Sequence, residues 1–219
     1  QGTDVVNSSN SYTLGNFIEN LVLTGSAASG TGNALDNQLD GGPGTDTAVL
    51  ARALADCRIT STGSSVRVVG PEGRDILTGV ERLVFTDTRL AFDLDAAAGQ
   101  AARLVGALHG AAALRDASLV GRALGLLDAG ADPLALAQAM LEGLPQGPLA
   151  PAALVTELYQ HVVGHAPAPR ELAVYTSALT SGQYSPASLL VHAAQCEANR
   201  VAIDLTGLAQ TGLAYLLPG

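Results

Sequence analysis

The stretch GGPGTDTAV, residues 41–49, fits the nonapeptide G-G-x-G-x-D-x-U-x of β-helical repeats at every fixed position, with Ala48 as a weak apolar U. Counting back nine places puts Gly32 at the head of GNALDNQLD, residues 32–40, where Asn37 stands at the Asp position and Leu39 at the apolar one. Two consecutive turns of a β-solenoid are therefore expected, each joining a glycine-rich bend to a short strand. The residues admit two uses of the bend. It either curls main-chain oxygens around a cation, or its glycines serve only the backbone angles. The opening residues Gly2-Thr3-Asp4 carry the G-x-D of the same pattern, so the chain is expected to be a piece of a longer polypeptide.

Working outward, residues 1–50 are rich in Gly, Asn, Ser, Thr and Leu, and the apolar runs 12–14 and 17–23 are separated by turn clusters such as 25–32. These read as short strands with tight turns. Over residues 51–95 the period changes. The runs 59–61, 66–69, 76–77, 80–85 and 90–94 are of β type, the last alternating Leu90, Phe92 and Leu94 inward, with glycine-rich turns between them. An antiparallel β-meander is the simplest assembly. GPEGRDILT, residues 70–78, matches the nonapeptide loosely, but Pro71 stands at the second Gly and the stretch lies between two strands, which favours a hairpin turn.

Residues 96–219 are Ala- and Leu-rich with helical spacing. Leu154, Val155, Leu158, Tyr159, Val162 and Val163 form one stripe, and Leu189, Leu190, Ala193, Ala194, Glu197 and Val201 a second. Asp132-Pro133 and Ser185-Pro186 read as an N-cap followed by Pro at the first helical position. An internal repeat relates Leu104 to Leu158, Gly110 to Gly164, Leu127 to Leu179, Gly130 to Gly182 and Pro133 to Pro186. The expectation is a bundle of six or seven helices, built from two three-helix repeats over about residues 96–145 and 150–205, with a last apolar helix running to Leu217. The fold class is α+β: a β-solenoid end, a β-meander and a C-terminal helical bundle.

The nonapeptides resemble those of the RTX family, the hemolysin-type calcium-binding repeats, whose parallel β-roll binds calcium between turns. The resemblance implies the carbonyls of Gly42 and Gly44 and the carboxylate of Asp46 as metal ligands, with Asn37 contributing from the preceding turn. Oxygen ligands of this kind suit a hard cation. A complete site needs the repeat two positions away, and neither 23–31 nor the sequence from Leu50 onward supplies one, so the stretch encodes half a site. The second helical repeat resembles a helical domain of unknown function common at the C-terminal end of secreted RTX and surface-layer proteins. Leu158-Tyr159, the turn 162–167, Leu172, Tyr175, Leu179, Gly182, Ser185, Leu189 and Glu197 carry that likeness; His165 replaces the family's usual Arg.

Bulk composition narrows the function classes. Apolar residues make up 47% of the 219, which excludes wholesale disorder, and only 14% are charged. The formal charge is −9 and all eleven basic residues are arginine, none of them within the first fifty positions. No basic stripe exists to displace counterions from phosphates, so nucleic acid is not an expected partner. No apolar run reaches the eighteen or so residues that cross a bilayer. Cys57 and Cys196 form one bridge if their segments touch, or are two buried small hydrophobes. His161 and His165, four apart, lack an intervening Glu, and Gly164 ends their helix, so they read as a solvated or turn-capping pair. Asp93 and Asp95 fall on the polar face of a closing strand, with Asp95 expected to cap the helix that follows. No catalytic constellation is visible. The expected function is a non-catalytic, calcium-responsive structural module of an extracellular or cell-surface protein, an adhesin, surface-layer or filament subunit. The resemblance implies type I secretion. Calcium ions, further copies of the chain and cell-surface components are the expected partners. The alternative is the trailing module of an exoenzyme, a protease or lipase, with its catalytic domain upstream.

Overall fold

The computed structural model describes residues 2–26, 29–71 and 73–217. Among these are twelve strands in two open six-stranded sheets and eight α-helices, a mixed α and β architecture. The chain forms two compact units, residues 1–93 with 207–214, and residues 94–206 with 215–219.

The first unit contains β1 (Val5–Ser8), β2 (Tyr12–Thr13), β3 (Asn20–Leu23), β4 (Ser29–Thr31), β5 (Gln38–Asp40), β6 (Thr47–Val49), β7 (Arg58–Ser61), β8 (Ser65–Gly70), β9 (Gly73–Thr78), β10 (Arg82–Val84) and β11 (Arg89–Ala91). Strand β12 (Leu213–Tyr215) completes the second sheet beside β11. One sheet has the order β1-β3-β5-β9-β8-β7 and the other β12-β11-β10-β6-β4-β2. Through β6 the chain alternates between them, and every pairing among those strands is parallel. Partners from β2 to β6 recur eighteen positions apart, as in Tyr12, Gly30 and Ala48 or Asn20 and Gln38, which is two nonapeptides per circuit, while β1 and β3 partners are fifteen apart.

Burial explains the short strands. Apart from β2, whose two residues are exposed, each contributes an inward residue, and Leu21, Leu39 and Leu77 stack in register on one sheet, all buried. Opposite them the second sheet has Gly30 and Ala48. A Cβ on Gly30 would lie 2.6 Å from Leu39 Cδ1 and 2.9 Å from Leu21 Cδ2, so small residues on one sheet accommodate the leucines of the other. The weak apolar residue of 41–49 thus has a packing reason.

Residues 51–95 are not a self-contained meander, and that expectation is corrected. β7, β8 and β9 are antiparallel neighbours, as are β10 and β11. But β9 also pairs with β5 in parallel, and β10 pairs with β6 in parallel in the other sheet. Leu77 takes the place above Leu39 after thirty-eight positions instead of eighteen, because the β7–β8 hairpin arm is inserted between successive circuits. In 70–78 Gly70 and Gly73 face each other across the expected hairpin turn, while Ile76 and Leu77 resume the repeat.

The second unit holds α1 (Ala97–His109), α2 (Ala117–Asp128), α3 (Pro133–Glu142), α4 (Pro151–Val162), α5 (Pro169–Thr180), α6 (Pro186–Gln195) and α7 (Glu197–Ala202), and α8 (Leu205–Thr211) follows. Both expected Pro-led starts are present: Asp132 accepts the Ala135 N–H at 2.7 Å and Ser185 accepts the Ser188 N–H at 3.1 Å. Gly110 and Gly164 follow α1 and α4, and Gly130 and Gly182 follow α2 and α5, all at positive φ. Helix α1 is the most buried, with Ala98, Ala101, Ala102 and Val105 fully enclosed. Two expectations are corrected. Asp95 does not cap α1, whose N-cap is Ala96 without a side-chain bond. The chain does not end in a helix running to Leu217, because Gly212 at φ +80 terminates α8 and Leu213 and Tyr215 then bury alternately as strand residues.

Candidate functional site

The turn 41–46 joins β5 to β6 and is pressed between backbone on both sides. A Cβ on Gly41 would lie 2.0 Å from the Gly79 carbonyl oxygen, and one on Gly42 would lie 2.6 Å from that of Leu23. Gly42 and Gly44 adopt φ of +75 and +128, which glycine reaches without strain. Asp40 Oδ1 accepts the Gly42 N–H at 3.1 Å and sets the bend.

Asp46 closes the turn and is fully buried. Its N–H donates to Glu81 Oε2 at 2.8 Å, while its carbonyl accepts from the N–H groups of Glu81 at 3.1 Å and Arg82 at 3.0 Å. Next to it the Arg82 guanidinium is paired with the Asp93 carboxylate, both enclosed. Gly42, Gly44, Asp46 and Glu81 offer only hard oxygen donors, a donor type suited to calcium. Among the described residues no group of three or more His, Cys, Asp or Glu side chains is arranged to hold a metal. A cation at this turn would therefore draw on main-chain carbonyls as well as the carboxylates.

Asn37 is not brought to that turn. It precedes β5, whereas 41–46 follows it, which places the two at opposite ends of the strand, about 13 Å apart at roughly 3.3 Å per residue. Its amide is also spent. Asn37 Nδ2 donates to the carbonyls of Ile18 at 3.3 Å and Glu19 at 3.2 Å and to Asn33 Oδ1 at 3.2 Å, and Oδ1 accepts the Asn33 N–H at 2.8 Å. An NH2 group directed at the carbonyls of the turn below does not fit a calcium ligand. Asn37 is thus removed from the candidate set and Glu81 enters it.

The edge that holds Asn37 has its own buried pair. Asp75 Oδ1 accepts the Asn37 N–H at 3.1 Å, and its other oxygen pairs with the Arg52 guanidinium. Burial pushes the Asp75 carboxyl up, the Asn37 N–H and Arg52 pull it down, and Asp36 adds to the upward push. The sequence signal for these residues was present: Asp75 and Leu77 occupy the same nonapeptide places as Asn37 and Leu39.

The remaining candidates separate. His161 lies in the last turn of α4, while His165, beyond Gly164, has its Nδ1 2.9 Å from the Ala166 carbonyl. Asp93 serves Arg82 and Asp95 is exposed. Cys57 and Cys196 are both free thiols, and burial pushes the Cys57 thiol up. Among the described residues no helix is long and apolar enough to cross a membrane. No protein-family model, no curated protein and no solved structure matches the chain.

Proposed function

We propose that this chain is a non-catalytic structural module of a secreted cell-surface protein. Its first unit acts as a calcium-responsive parallel β-roll, and its second as a helical bundle of two three-helix repeats, α1–α3 and α4–α6. The observation that carries the reading is the register: eighteen positions per circuit, with Gly41–Gly42 wedged between the backbones of Leu23 and Gly79 and the carboxylate of Glu81 seated on Asp46. Stacked turns of this kind put main-chain carbonyls and carboxylates along one seam, where a divalent cation screens their repulsion. The matched positions of Gly110 with Gly164 and Gly130 with Gly182 support the helical repeat. Export by a type I system, and a role as adhesin, surface-layer or filament subunit with further copies or surface components as partners, complete the proposal.

Calcium held at the edge of the roll contributes modestly. Extracellular modules bind with Kd of roughly 10⁻⁴ to 10⁻³ M, so calcium at about 1 mM adds about 0.4–1.4 kcal/mol per site by mass action. For a chain of this length that raises Tm by about 1–6 °C. Melting followed by circular dichroism in millimolar calcium and in excess chelator tests it. The expected result is a higher Tm with calcium that Asp46→Asn abolishes; superimposable curves for the unaltered chain overturn the reading.

A further inference from the structure

We infer that the edge opposite the Gly41–Asp46 turn carries its own cation: the Arg52 guanidinium fills the place between successive turns that calcium is proposed to take on the other edge. The comparison with calcium rests on the reading above, but the geometry of the pair does not. Gln38 and Ile76 are register partners, so Asn37 and Asp75, which precede them, stand one above the other at the same place in successive circuits. Asp75 bridges the two levels, accepting the Asn37 N–H with one oxygen and meeting Arg52 with the other. Asp36 ties the same levels by accepting the Arg74 N–H at 2.8 Å.

Both members of the pair are enclosed, Arg52 at 8% and Asp75 at 6% exposure, so the carboxylate has little water to solvate it. A buried carboxylate requires a counter-charge, and a planar guanidinium supplies charge and directed donors together. The chain is shaped to deliver it. Arg52 comes directly after the β6 circuit, its carbonyl accepts the Thr86 N–H at 3.0 Å, and its stem packs beside Gly70, where a Cβ would lie 3.4 Å from Arg52 Cδ and Nε. Beside the pair a cavity of about 180 Å³, lined in part by Thr31, Gly32 and Asn33, opens onto Arg52 and Asp75. With Asn37 Nδ2 directed at the carbonyls one level down, this edge is closed by nitrogen donors of the chain itself. This edge thus has a resident cation between successive circuits.

The test is chemical rescue in the full chain with excess chelator throughout. Arg52→Ala is expected to lower Tm by about 10 °C, as for a broken buried pair in a chain of this size. Millimolar ethylguanidinium chloride should restore part of that loss, while ethylurea, its neutral isostere, and sodium chloride should not. If Arg52→Ala does not fold, Arg52→Lys against Arg52→Met decides, with the lysine variant expected to melt higher. An unchanged Tm in Arg52→Ala, equal restoration by ethylurea, or a lysine variant no better than the methionine one overturns the inference. Because chelator is present in every arm, a calcium-insensitive parent chain would defeat the calcium reading and leave this inference standing.

Discussion

The Glu81 carboxylate accepts the main-chain N–H of Asp46 at 2.8 Å, across thirty-five positions of sequence. The same relationship occurs twice on the opposite edge, where Glu19 Oε2 accepts the Asp4 N–H at 2.9 Å and Asp75 Oδ1 accepts the Asn37 N–H at 3.1 Å. In each case the acidic residue of a later circuit seats on the equivalent position of an earlier one. The acids Glu19, Asp75 and Glu81 therefore each have a structural task, satisfying a main-chain donor in the seam, apart from any ion they hold.

Removing that acceptor separates the two tasks. Glu81→Ala leaves the Asp46 N–H without its charged acceptor and should cost about 1.5–3 kcal/mol in chelator. Glu81→Gln keeps an acceptor of the same shape, so most of that stability should remain, while the calcium-dependent gain in Tm diminishes with the lost charge. Urea unfolding of both variants, with and without calcium, reads the two effects separately.

Glycines of opposite kinds give opposite signs. Gly41→Ala drives a Cβ to 2.0 Å from the Gly79 carbonyl oxygen, a backbone atom that cannot move without separating the turns. A loss of about 3 kcal/mol or more is expected, in line with overpacking at its upper end. Gly125 lies within α2 with nothing within 4 Å of its would-be Cβ. There the only change is helix propensity, and Gly125→Ala should gain about 0.5–1 kcal/mol. A gain in the first variant, or a loss in the second, would show that the packing has been misjudged.

The contrast marks what the chain makes legible. The nonapeptide of 41–49 is local, and its glycines, its Asp46 and its small Ala48 can be read without knowing the partner strands. Caps and stops of the helices are equally local, as Asp132, Ser185, Gly110 and Gly164 illustrate. What does not show is whatever spans the β7–β8 hairpin: that arm displaces the third circuit, so 70–78 passes for a hairpin turn although Asp75 and Leu77 keep their nonapeptide places, and the strands after it, with Glu81, read as a meander. Arg52 looks like an ordinary surface charge, since the carboxylate that buries it lies twenty-three positions on. Asp95 misleads for the opposite reason, a good capping residue one place too early, with the chain turning at Ala96 instead.

Acidification should loosen the helical unit through His109. This residue ends α1 half-buried, and burial pushes its imidazole below the ordinary histidine range, with His161 acting the same way and Glu157 opposing. An unfolded histidine titrates near 6.5. Between that value and the lower folded one the unfolded chain binds more protons, so stability is complete above about pH 7 and falls as pH drops through 6.5 toward the folded pKa. His109→Gln should flatten the decline of Tm between pH 7.5 and 5; parallel profiles for the two proteins would assign the decline elsewhere.

Asn199 is the fully buried polar residue of the helical unit, and its Nδ2 donates to the Arg103 carbonyl at 3.0 Å and the Ala194 carbonyl at 2.8 Å. It thereby links the start of α7 to α1 and to the last turn of α6, a junction made close by Gly106, whose would-be Cβ would lie 2.3 Å from Ile203 Cγ2. Asn199→Ala removes both bonds, leaving the Ala194 carbonyl at the end of α6 without this donor, and about 1–3 kcal/mol should be lost, a fall in Tm of roughly 2–12 °C for a chain of this size. Val201, on the same helix and 72% exposed, supplies the control: Val201→Ser should stay within about 0.5 kcal/mol. Equal effects of the two substitutions would mean that the junction is held by apolar packing alone.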